Sequence, residues 1–197
     1  MTAPDQRGAI VVISGPSGSG KTTLLRRLLE EAPELVWSVS ATTRAPRAGE
    51  RDGRDYRFLT RDEFEARIRD GAFAEHAESY GNLYGTPAAP LLEALEAGRI
   101  VVLDVDVQGA RQVVRKFPDA VLVFIRAPDI DTLVERLRRR STESKEQFQA
   151  RLERARAELD CADEYDHVIV NDDLEVALGE LRDVVRKTKE KPRGENR

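Results

Sequence analysis

The sequence has few residues that bind metals or form disulfides. It holds one cysteine, Cys161, and two histidines, His76 and His167, among 197 residues. One cysteine cannot form an intrachain disulfide, and two histidines cannot build a multi-histidine metal site. We therefore expect a protein of the reducing cytoplasm, in which these three residues and the one tryptophan, Trp37, have packing or surface roles.

The sequence also lacks a long hydrophobic run and a strong net charge. No stretch of about 18 apolar residues predicts a membrane span, and residues 1–7 are polar, unlike a signal peptide. The 32 Lys and Arg residues nearly balance the 36 Asp and Glu residues, which leaves a formal net charge of −4. We expect no general attraction to nucleic acid or membrane, and a single compact domain.

Apolar runs alternate with helical patterns along most of the chain. The strand-like runs are residues 9–13, 100–103, 120–125 and 167–170. After the first run, leucines recur at helical spacing until Pro33 ends the pattern. This alternation predicts an α/β fold, in which a parallel sheet forms the core and helices flank it.

Residues 40–90 interrupt this alternation and are rich in Arg, Gly and Tyr. A capping box from Thr60 to Glu63 predicts a short helix there, which buries Phe64 and Ile68 and ends at Gly71. We expect an inserted α+β subdomain with a small core of its own.

A second interruption, residues 131–160, contains two Arg-rich helical segments, the later one opened by a capping box from Ser144 to Gln147. Its apolar positions are sparse, so we expect a mobile helical lid. The predicted domain of residues 1–197 then has a core at about 8–39, 91–130 and 161–190, the insertion at about 40–90, the lid at about 131–160 and a flexible tail at 191–197.

A glycine-rich loop lies between the first predicted strand and the first helix. It reads Gly15-Pro16-Ser17-Gly18-Ser19-Gly20-Lys21-Thr22, which fits the phosphate-binding pattern G-x-x-x-x-G-K-[ST]. Glycines let the backbone approach phosphates closely, amides and the helix N-terminus supply positive charge, and Lys21 can reach the outer phosphates of ATP. Thr22 would offer a hydroxyl to Mg²⁺. The alternative is a plain Gly/Ser turn.

Asp104 and Asp106 follow the apolar run at residues 100–103, where P-loop proteins place an acidic residue near the metal. Strand alternation puts both carboxylates on one face and Val105 on the other. We expect Asp104 to bind Mg²⁺, directly or through water. The alternative for either carboxylate is to cap the following helix.

The motifs of this chain closely resemble those of the guanylate kinase family and occur in the same order. The matching segments are residues 14–21, 38–50, 53–56, 75, 81–85, 103–109 and 168–172, within about residues 8–190. The resemblance implies a P-loop nucleoside-monophosphate kinase that transfers the γ-phosphoryl group of ATP, bound with Mg²⁺, to GMP.

The resemblance also implies which residues hold the phosphate of GMP. Arg44, Arg47, Tyr56 and Tyr84 would bind this dianion, which forked guanidinium and phenolic donors suit better than a lone lysine does. Glu50 belongs to the same predicted site. On composition alone, the alternative for an Arg-rich segment is a solvated face.

For the guanine base, the resemblance implies that Glu75 and Asp106 accept from the N1 and N2 donors, while Ser40 and Thr86 bond the acceptors O6 and N7. Asp104 completes the predicted GMP site. Thr86 stands where we associate a serine with the family; it keeps the hydroxyl and adds a methyl group. Adenine would meet the carboxylates with an unprotonated N1, which supports strong discrimination against AMP.

The catalytic residues implied by the resemblance are the loop lysine and three lid arginines: Lys21, Arg136, Arg140 and Arg151. The arginines would close over the transferring phosphoryl group and stabilise its negative charge. Their alternative is ordinary helix pairing with Glu135 or Glu153. Ser141 stands where relatives usually have glycine, so we expect a stiffer hinge.

Asn171 and Asp172 resemble positions near the adenine of ATP, and a helix N-cap is their alternative. We expect direct in-line transfer, in which closure brings GMP to the γ-phosphorus. Two rival functions remain. A peptide-binding module of the same fold need not keep Lys21, and a kinase for another acceptor, such as a sugar phosphate, would not need Ser40, Glu75 and Asp106 together.

Overall fold

The computed structural model describes residues 8–79, 81–139 and 145–190. Its strands are β1 (Ala9–Ser14), β2 (Val36–Trp37), β3 (Ala41–Thr42), β4 (Arg57–Phe58), β5 (Phe73–Ser79), β6 (Asn82–Pro87), β7 (Ile100–Asp104), β8 (Val121–Arg126) and β9 (His167–Val170). Its helices are α1 (Lys21–Glu31), α2 (Arg61–Arg69), α3 (Ala88–Glu96), α4 (Val107–Lys116), α5 (Ile130–Arg139), α6 (Lys145–Leu159) and α7 (Leu174–Glu190), with a short 3₁₀ helix at Ala162–Glu164.

The four predicted strands of the core are confirmed as β1, β7, β8 and β9, with β8 starting and ending one residue later than its apolar run. Their β-branched and aliphatic side chains are nearly all buried along β1, β7 and β8, as expected for strands covered on both faces. The predicted parallel α/β fold is therefore confirmed, and the five-stranded sheet has the order β2-β7-β1-β8-β9.

The described residues divide into two compact units, those of Met1–Ile10 with Glu34–Ala120 and those of Val11–Pro33 with Val121–Arg197. In the first unit, β2 runs parallel to β7, and a second sheet has the order β4-β3-β6-β5. The strands of this second sheet come from the segment predicted as an insertion. β6 pairs antiparallel with both β3 and β5, which leaves β5 as an edge strand.

The segment at residues 40–90 has the small core that the sequence predicted. Phe64 of α2 is fully buried, and its ring stacks on Phe73 of β5 with centroids 4.4 Å apart. Ile68 packs against this cluster while partly exposed. The capping box of α2 is present, since Thr60 accepts from the backbone N–H of Glu63 and the Glu63 carboxylate accepts in return.

In the second unit, β8 lies between β1 and β9 and runs parallel to both. The predicted leucine face of α1 is confirmed, because Leu24, Leu25 and Leu28 are buried. The chain therefore passes from β1 through the glycine-rich loop into α1, as the sequence predicted.

The few apolar positions of the lid segment form a buried cluster in the described parts of α5 and α6, while the mobility of the lid stays a prediction. Leu133 and Leu137 of α5 are fully buried, and they form a cluster with Leu152 and Ala155 of α6. Their spacing of three or four residues puts each pair on one helical face. The predictions for Arg140, Ser141, Ser144 and the tail at 191–197 lie outside the described residues.

None of the helices in the described part of the chain combines the length and the apolar character that a membrane crossing requires.

Candidate active site

The glycine-rich loop owes its shape to glycines with positive φ. Gly15, Gly18 and Gly20 have φ of 141°, 89° and 90°, values that L side chains rarely adopt. A Cβ on Gly15 would also lie 2.0 Å from the carbonyl oxygen of Ile125 in β8. The loop can therefore follow this path only with glycine at these positions.

The N-terminus of α1 opens from this loop without a side-chain cap, because Gly20 occupies the N-cap position. The first-turn N–H groups of a helix are good donors to an anion, and the helix dipole adds to their effect. The Lys21 ammonium donates to the carbonyls of Gly15 and, at 3.4 Å, Pro16. Thr22 lies exposed in the first turn. This end of α1 can thus bind phosphate groups.

Asn171 lies directly behind the loop. Its side chain is buried, and its amide nitrogen donates to the carbonyl of Ser19 at 2.8 Å. Its backbone N–H donates to the carbonyl of Arg126 at 2.8 Å, which joins it to the end of β8. A Cβ on Gly20 would lie 2.1 Å from the Asn171 amide nitrogen. Asn171 therefore supports the loop from within the unit.

The N-cap alternative for Asn171 and Asp172 is wrong. The next residue, Asp173, accepts from the backbone N–H groups of Glu175 and Val176 and so caps α7. Asp173 was not among the predicted site residues, although an Asp just before an amphipathic helix is a common N-cap signal. Asp172 is exposed and lines a cavity of about 320 Å³. The other residues of this cavity are Gly18, Gly20, Thr23, Arg136, Asn171 and Leu174.

Two of the predicted lid arginines lie at the loop. Arg136 of α5 donates to the backbone carbonyl of Asn171 at 3.1 Å, and Arg151 of α6 donates to the hydroxyl of Ser17 at 2.9 Å. The second unit therefore brings these two guanidinium groups close to the glycine-rich loop, and their role in catalysis stays a prediction.

In the first unit, the predicted phosphate ligands are grouped around Arg44. Its guanidinium lies 5.3 Å from the centroid of the Tyr56 ring, and Tyr56 lies edge-on to Tyr84 with centroids 6.2 Å apart. Burial, followed by the charge of Asp104, raises the pKa of Tyr56 to about 12, so the phenol stays protonated and able to donate. These side chains can converge on one anion.

Glu50 holds the Arg44 guanidinium. One carboxylate oxygen of Glu50 lies 2.9 Å from Arg44 Nη2, and the other accepts from the backbone N–H of Arg47 at 2.7 Å. The hydrogen bond from Arg44 lowers the pKa of Glu50 below its ordinary value. The Arg47 side chain is exposed. The geometry therefore makes Glu50 an orienting partner of Arg44.

The predicted base ligands Glu75, Thr86 and Asp106 form a second group in the same unit. Glu75 is 4% exposed, and its Oε1 accepts from the fully buried Thr86 hydroxyl at 2.6 Å. Burial, and to a smaller extent the charge of Asp106, raises the pKa of Glu75 to about 7, while the hydrogen bond from Thr86 opposes this shift. Ser40 lies half-buried just before β3, and its backbone carbonyl accepts from Arg57.

Asp106 also performs its alternative role. It is the N-cap of α4, because its Oδ1 accepts from the backbone N–H of Gly109 at 2.9 Å. Asp104, at the end of β7, lies close enough to Tyr56 for its charge to raise the pKa of the phenol. Across the described ranges, no group of three or more His, Cys, Asp or Glu side chains is arranged to hold a metal ion.

Gln112 of α4 was not among the predicted site residues, yet its side-chain amide bonds both backbone groups of His76 in β5. No local pattern indicates this contact, since the two residues are 36 positions apart.

Comparisons with known proteins show the family of this chain. The sequence model of the guanylate kinase family matches residues 7–188. Guanylate kinase of Rubrobacter xylanophilus is 53% identical over 92% of this chain and 95% of its own length, and that of Nocardia farcinica is 54% identical over the same shares.

A solved structure is similar as well. The crystal structure of guanylate kinase from Anaplasma phagocytophilum matches 94% of this chain and 88% of its own chain, with 36% sequence identity and a TM-score of 0.79. The motifs, the fold and these relatives agree, and the chain therefore belongs to the guanylate kinase family of nucleoside-monophosphate kinases.

Proposed function

We propose that this enzyme transfers the γ-phosphoryl group of ATP to GMP in one direct in-line step, giving ADP and GDP. The family supports the two substrates, and the residues above support the division of labour between the units. ATP would occupy the glycine-rich loop of the second unit. GMP would occupy the two residue groups of the first unit.

The observation that carries the choice of GMP is the buried carboxylate of Glu75 beside Thr86 and Asp106. A guanine base offers two neighbouring donors, N1–H and N2–H, which two carboxylates can accept. An adenine in the same place would leave a buried carboxylate facing an unprotonated N1. Because buried unpaired polar groups are costly, such a pocket discriminates strongly between the two bases.

Thr86 has a limited ability to donate to the acceptor atoms O6 and N7 of guanine. A hydroxyl has one proton to donate, and Thr86 donates it to Glu75. Ser40 would therefore be the hydroxyl that donates to guanine O6 or N7, while Thr86 fixes the orientation of the Glu75 carboxylate. Thr86 would donate to the base only after Glu75 accepts from guanine instead.

For the phosphate of GMP, Arg44 would be the principal ligand, with Arg47, Tyr56 and Tyr84 as further donors. The carboxylate of Glu50 fixes the guanidinium plane of Arg44 before the substrate arrives. A pre-oriented fork loses less side-chain entropy on binding, which favours precise placement of the attacking oxygen. No general base is required, because a phosphate dianion is already an adequate nucleophile.

For the phosphates of ATP, the loop amides and Lys21 would bind the β- and γ-groups, and Arg136 and Arg151 would stabilise the charge that spreads over the transferring phosphoryl. Arg140 would join them, as its family position implies. Asn171 and Asp172 would complete the adenine end of the site, next to the cavity that they line.

Enzymes of this family generally use ATP with a divalent metal ion. The hydroxyl of Thr22 and the carboxylate of Asp104, directly or through water, are hard oxygen donors that suit Mg²⁺. The ion would neutralise charge on the phosphates of ATP when bound.

The test is a coupled assay of ADP release with GMP, dGMP, AMP, CMP and UMP as acceptors. We expect kcat/KM for GMP to exceed that for AMP by about 10⁴-fold. Comparable values for GMP and AMP would contradict the assignment of the base site.

Lys21→Met serves as the control for phosphoryl transfer in this assay. It should abolish ADP release with every acceptor and leave the circular dichroism spectrum unchanged, because the Lys21 side chain is only half-buried and bonds only loop carbonyls among its identified contacts. Near-normal turnover by Lys21→Met would contradict the proposed role of the loop.

A further inference from the structure

The edge strand β5 is completed by a side chain instead of a fifth strand. The Gln112 amide nitrogen donates to the carbonyl of His76 at 2.7 Å, and its oxygen accepts from the N–H of His76 at 3.2 Å. A carboxamide thus pairs with both backbone groups of one residue, as a neighbouring strand would do. This pair fixes α4 against β5 at the residue that follows Glu75.

Two further contacts keep the same alignment of α4 with β5. Lys116, one turn after Gln112, donates to the carbonyl of Phe73 at 3.1 Å. At the other end, a Cβ on Gly109 would lie 2.5 Å from Oε2 of Glu75 and 3.2 Å from its carboxyl carbon. The first turn of α4 therefore passes directly over the Glu75 carboxylate, and only a glycine leaves room for it.

The same turn carries Asp106. Its carboxylate caps α4 by accepting from the N–H of Gly109, and its charge acts on Glu75. The distance between the two carboxylates is therefore set by how α4 docks on β5. A rotation or slide of α4 would move Asp106 relative to Glu75 without changing either residue.

We propose that Gln112 and Gly109 are positioning residues for acceptor selectivity, which hold the carboxylates of Glu75 and Asp106 in register so that both face one guanine base. This inference rests on the proposed function, in which these carboxylates bind GMP. Neither Gln112 nor Gly109 needs to touch the substrate.

The first test compares Gln112→Met with Gln108→Met. Methionine keeps the length of the glutamine side chain and removes both hydrogen bonds. Gln108 lies one turn earlier on the same helix and is exposed, so it is a matched control. We expect Gln112→Met to raise KM for GMP about tenfold, to leave KM for ATP within about twofold, and to lower the preference for GMP over AMP, because only the acceptor carboxylates lose their alignment. Gln108→Met should change neither constant.

Gly109→Ala tests the steric part of the inference and remains informative if Gln112→Met does not fold. The added methyl group must displace the Glu75 carboxylate, so KM for GMP should again rise about tenfold or more, with KM for ATP nearly unchanged. Gly179→Ala in α7 is its control, since the nearest atom to a Cβ there is Arg182 Nη2 at 3.9 Å.

A double-mutant cycle separates positioning from general weakening of the fold. In a Glu75→Ala background, Gln112→Met should raise KM for GMP much less than in the wild type, because one of the two carboxylates that it aligns is gone. The inference is overturned if Gln112→Met lowers thermal stability without changing KM for GMP, if it raises both KM values equally, or if its effect on KM for GMP is undiminished in the Glu75→Ala background.

The Glu75→Ala variant distinguishes failure of the proposed function from failure of the positioning inference. An unchanged KM for GMP in Glu75→Ala overturns the base assignment and this inference together. A large increase in Glu75→Ala with no effect of Gln112→Met and Gly109→Ala overturns the positioning inference only.

Discussion

Glu75 is a carboxyl group buried among polar partners, and its protonation links acceptor binding to pH. Burial raises its pKa to about 7, and the nearby Asp106 adds to that shift. With a pKa of about 7, the Glu75 carboxyl is partly protonated in the free enzyme near neutral pH. Binding of guanine donors would favour the charged form, so proton release and GMP binding are coupled.

This coupling predicts how KM for GMP depends on pH. Below about pH 7 the Glu75 carboxyl is increasingly protonated and becomes a weaker acceptor for its guanine donor, so KM for GMP should rise as the pH falls, by up to about tenfold per pH unit. Above pH 7 the carboxylate form dominates and KM should level off. The measurement is KM for GMP from pH 5.5 to 8.5 at saturating ATP.

Glu75→Gln provides the comparison. The GMP phosphate itself titrates near pH 6, and this contribution remains in the variant. A wild-type profile that parallels that of Glu75→Gln would show that the carboxyl of Glu75 does not titrate in this range.

At the scale of elements, α5 and α6 carry Arg136 and Arg151 and also pack against the glycine-rich loop and each other. A Cβ on Gly18 would lie 3.2 Å from Leu133 Cδ1 and 3.3 Å from Leu137 Cγ, so α5 packs directly on the glycine-rich loop. The cluster that joins α5 to α6 uses the same two leucines. The position of Arg136 and Arg151 at the loop therefore depends on apolar packing within the second unit.

Leu137→Ala should weaken this packing and the site together. Removal of a fully buried leucine side chain typically lowers the free energy of unfolding by about 2 to 4 kcal/mol. We also expect KM for ATP to rise, because Gly18 loses its support, while KM for GMP stays nearly constant. Urea denaturation and steady-state kinetics measure the two effects.

Leu92→Ala is the matched substitution at a leucine that is 45% exposed, and it should change the unfolding free energy by less than about 1 kcal/mol. Equal losses in the two variants would contradict the packing role of Leu137.

For the whole molecule, the proposed donor and acceptor sites belong to different compact units, so a productive complex requires both units to hold their substrates at once. A compound that joins adenosine and guanosine through a chain of five phosphates would engage both sites and should bind far more tightly than ATP or GMP alone, since the second contact is intramolecular. We expect a gain of about 10² or more in affinity by calorimetry.

Each half-site variant should remove only part of this gain. Lys21→Met and Glu75→Ala should each weaken binding of the joined compound. Lys21→Met should leave binding of GMP alone unchanged, and Glu75→Ala should leave binding of ATP alone unchanged. Binding of the joined compound no tighter than ATP would contradict in-line transfer between these two sites.

The sequence predicts the scaffold of this molecule well and its contacts less well. The loop at residues 15–22, the strands around it and the capping box of Thr60 all rest on short-range patterns, and the structure agrees with them. The packing of α5 on α6 does not follow from the small number of apolar residues in this segment, because their spacing decides whether they share a face. Leu133 and Leu137 suffice to form a buried face once α6 supplies Leu152 and Ala155.

Contacts between residues that are far apart in the chain could not be read from such patterns. Gln112 pairs with His76, and Asn171 pairs with Ser19 across 152 positions. In both cases a side-chain amide bonds a backbone group that comes near it only when the chain has folded. The grouping of Glu75, Thr86 and Asp106 was expected only from the family resemblance, and the structure adds that the Thr86 proton is directed at Glu75.

The close approach of Asn171 to Gly20 also limits how this molecule can vary. A larger residue at position 20 collides with the Asn171 amide and must adopt a backbone φ of 90° as well. Shortening position 171 removes the collision but also the hydrogen bond to the Ser19 carbonyl. The two positions are therefore coupled: a side chain at position 20 needs a smaller residue at position 171, and replacing Asn171 removes the amide that bonds the Ser19 carbonyl.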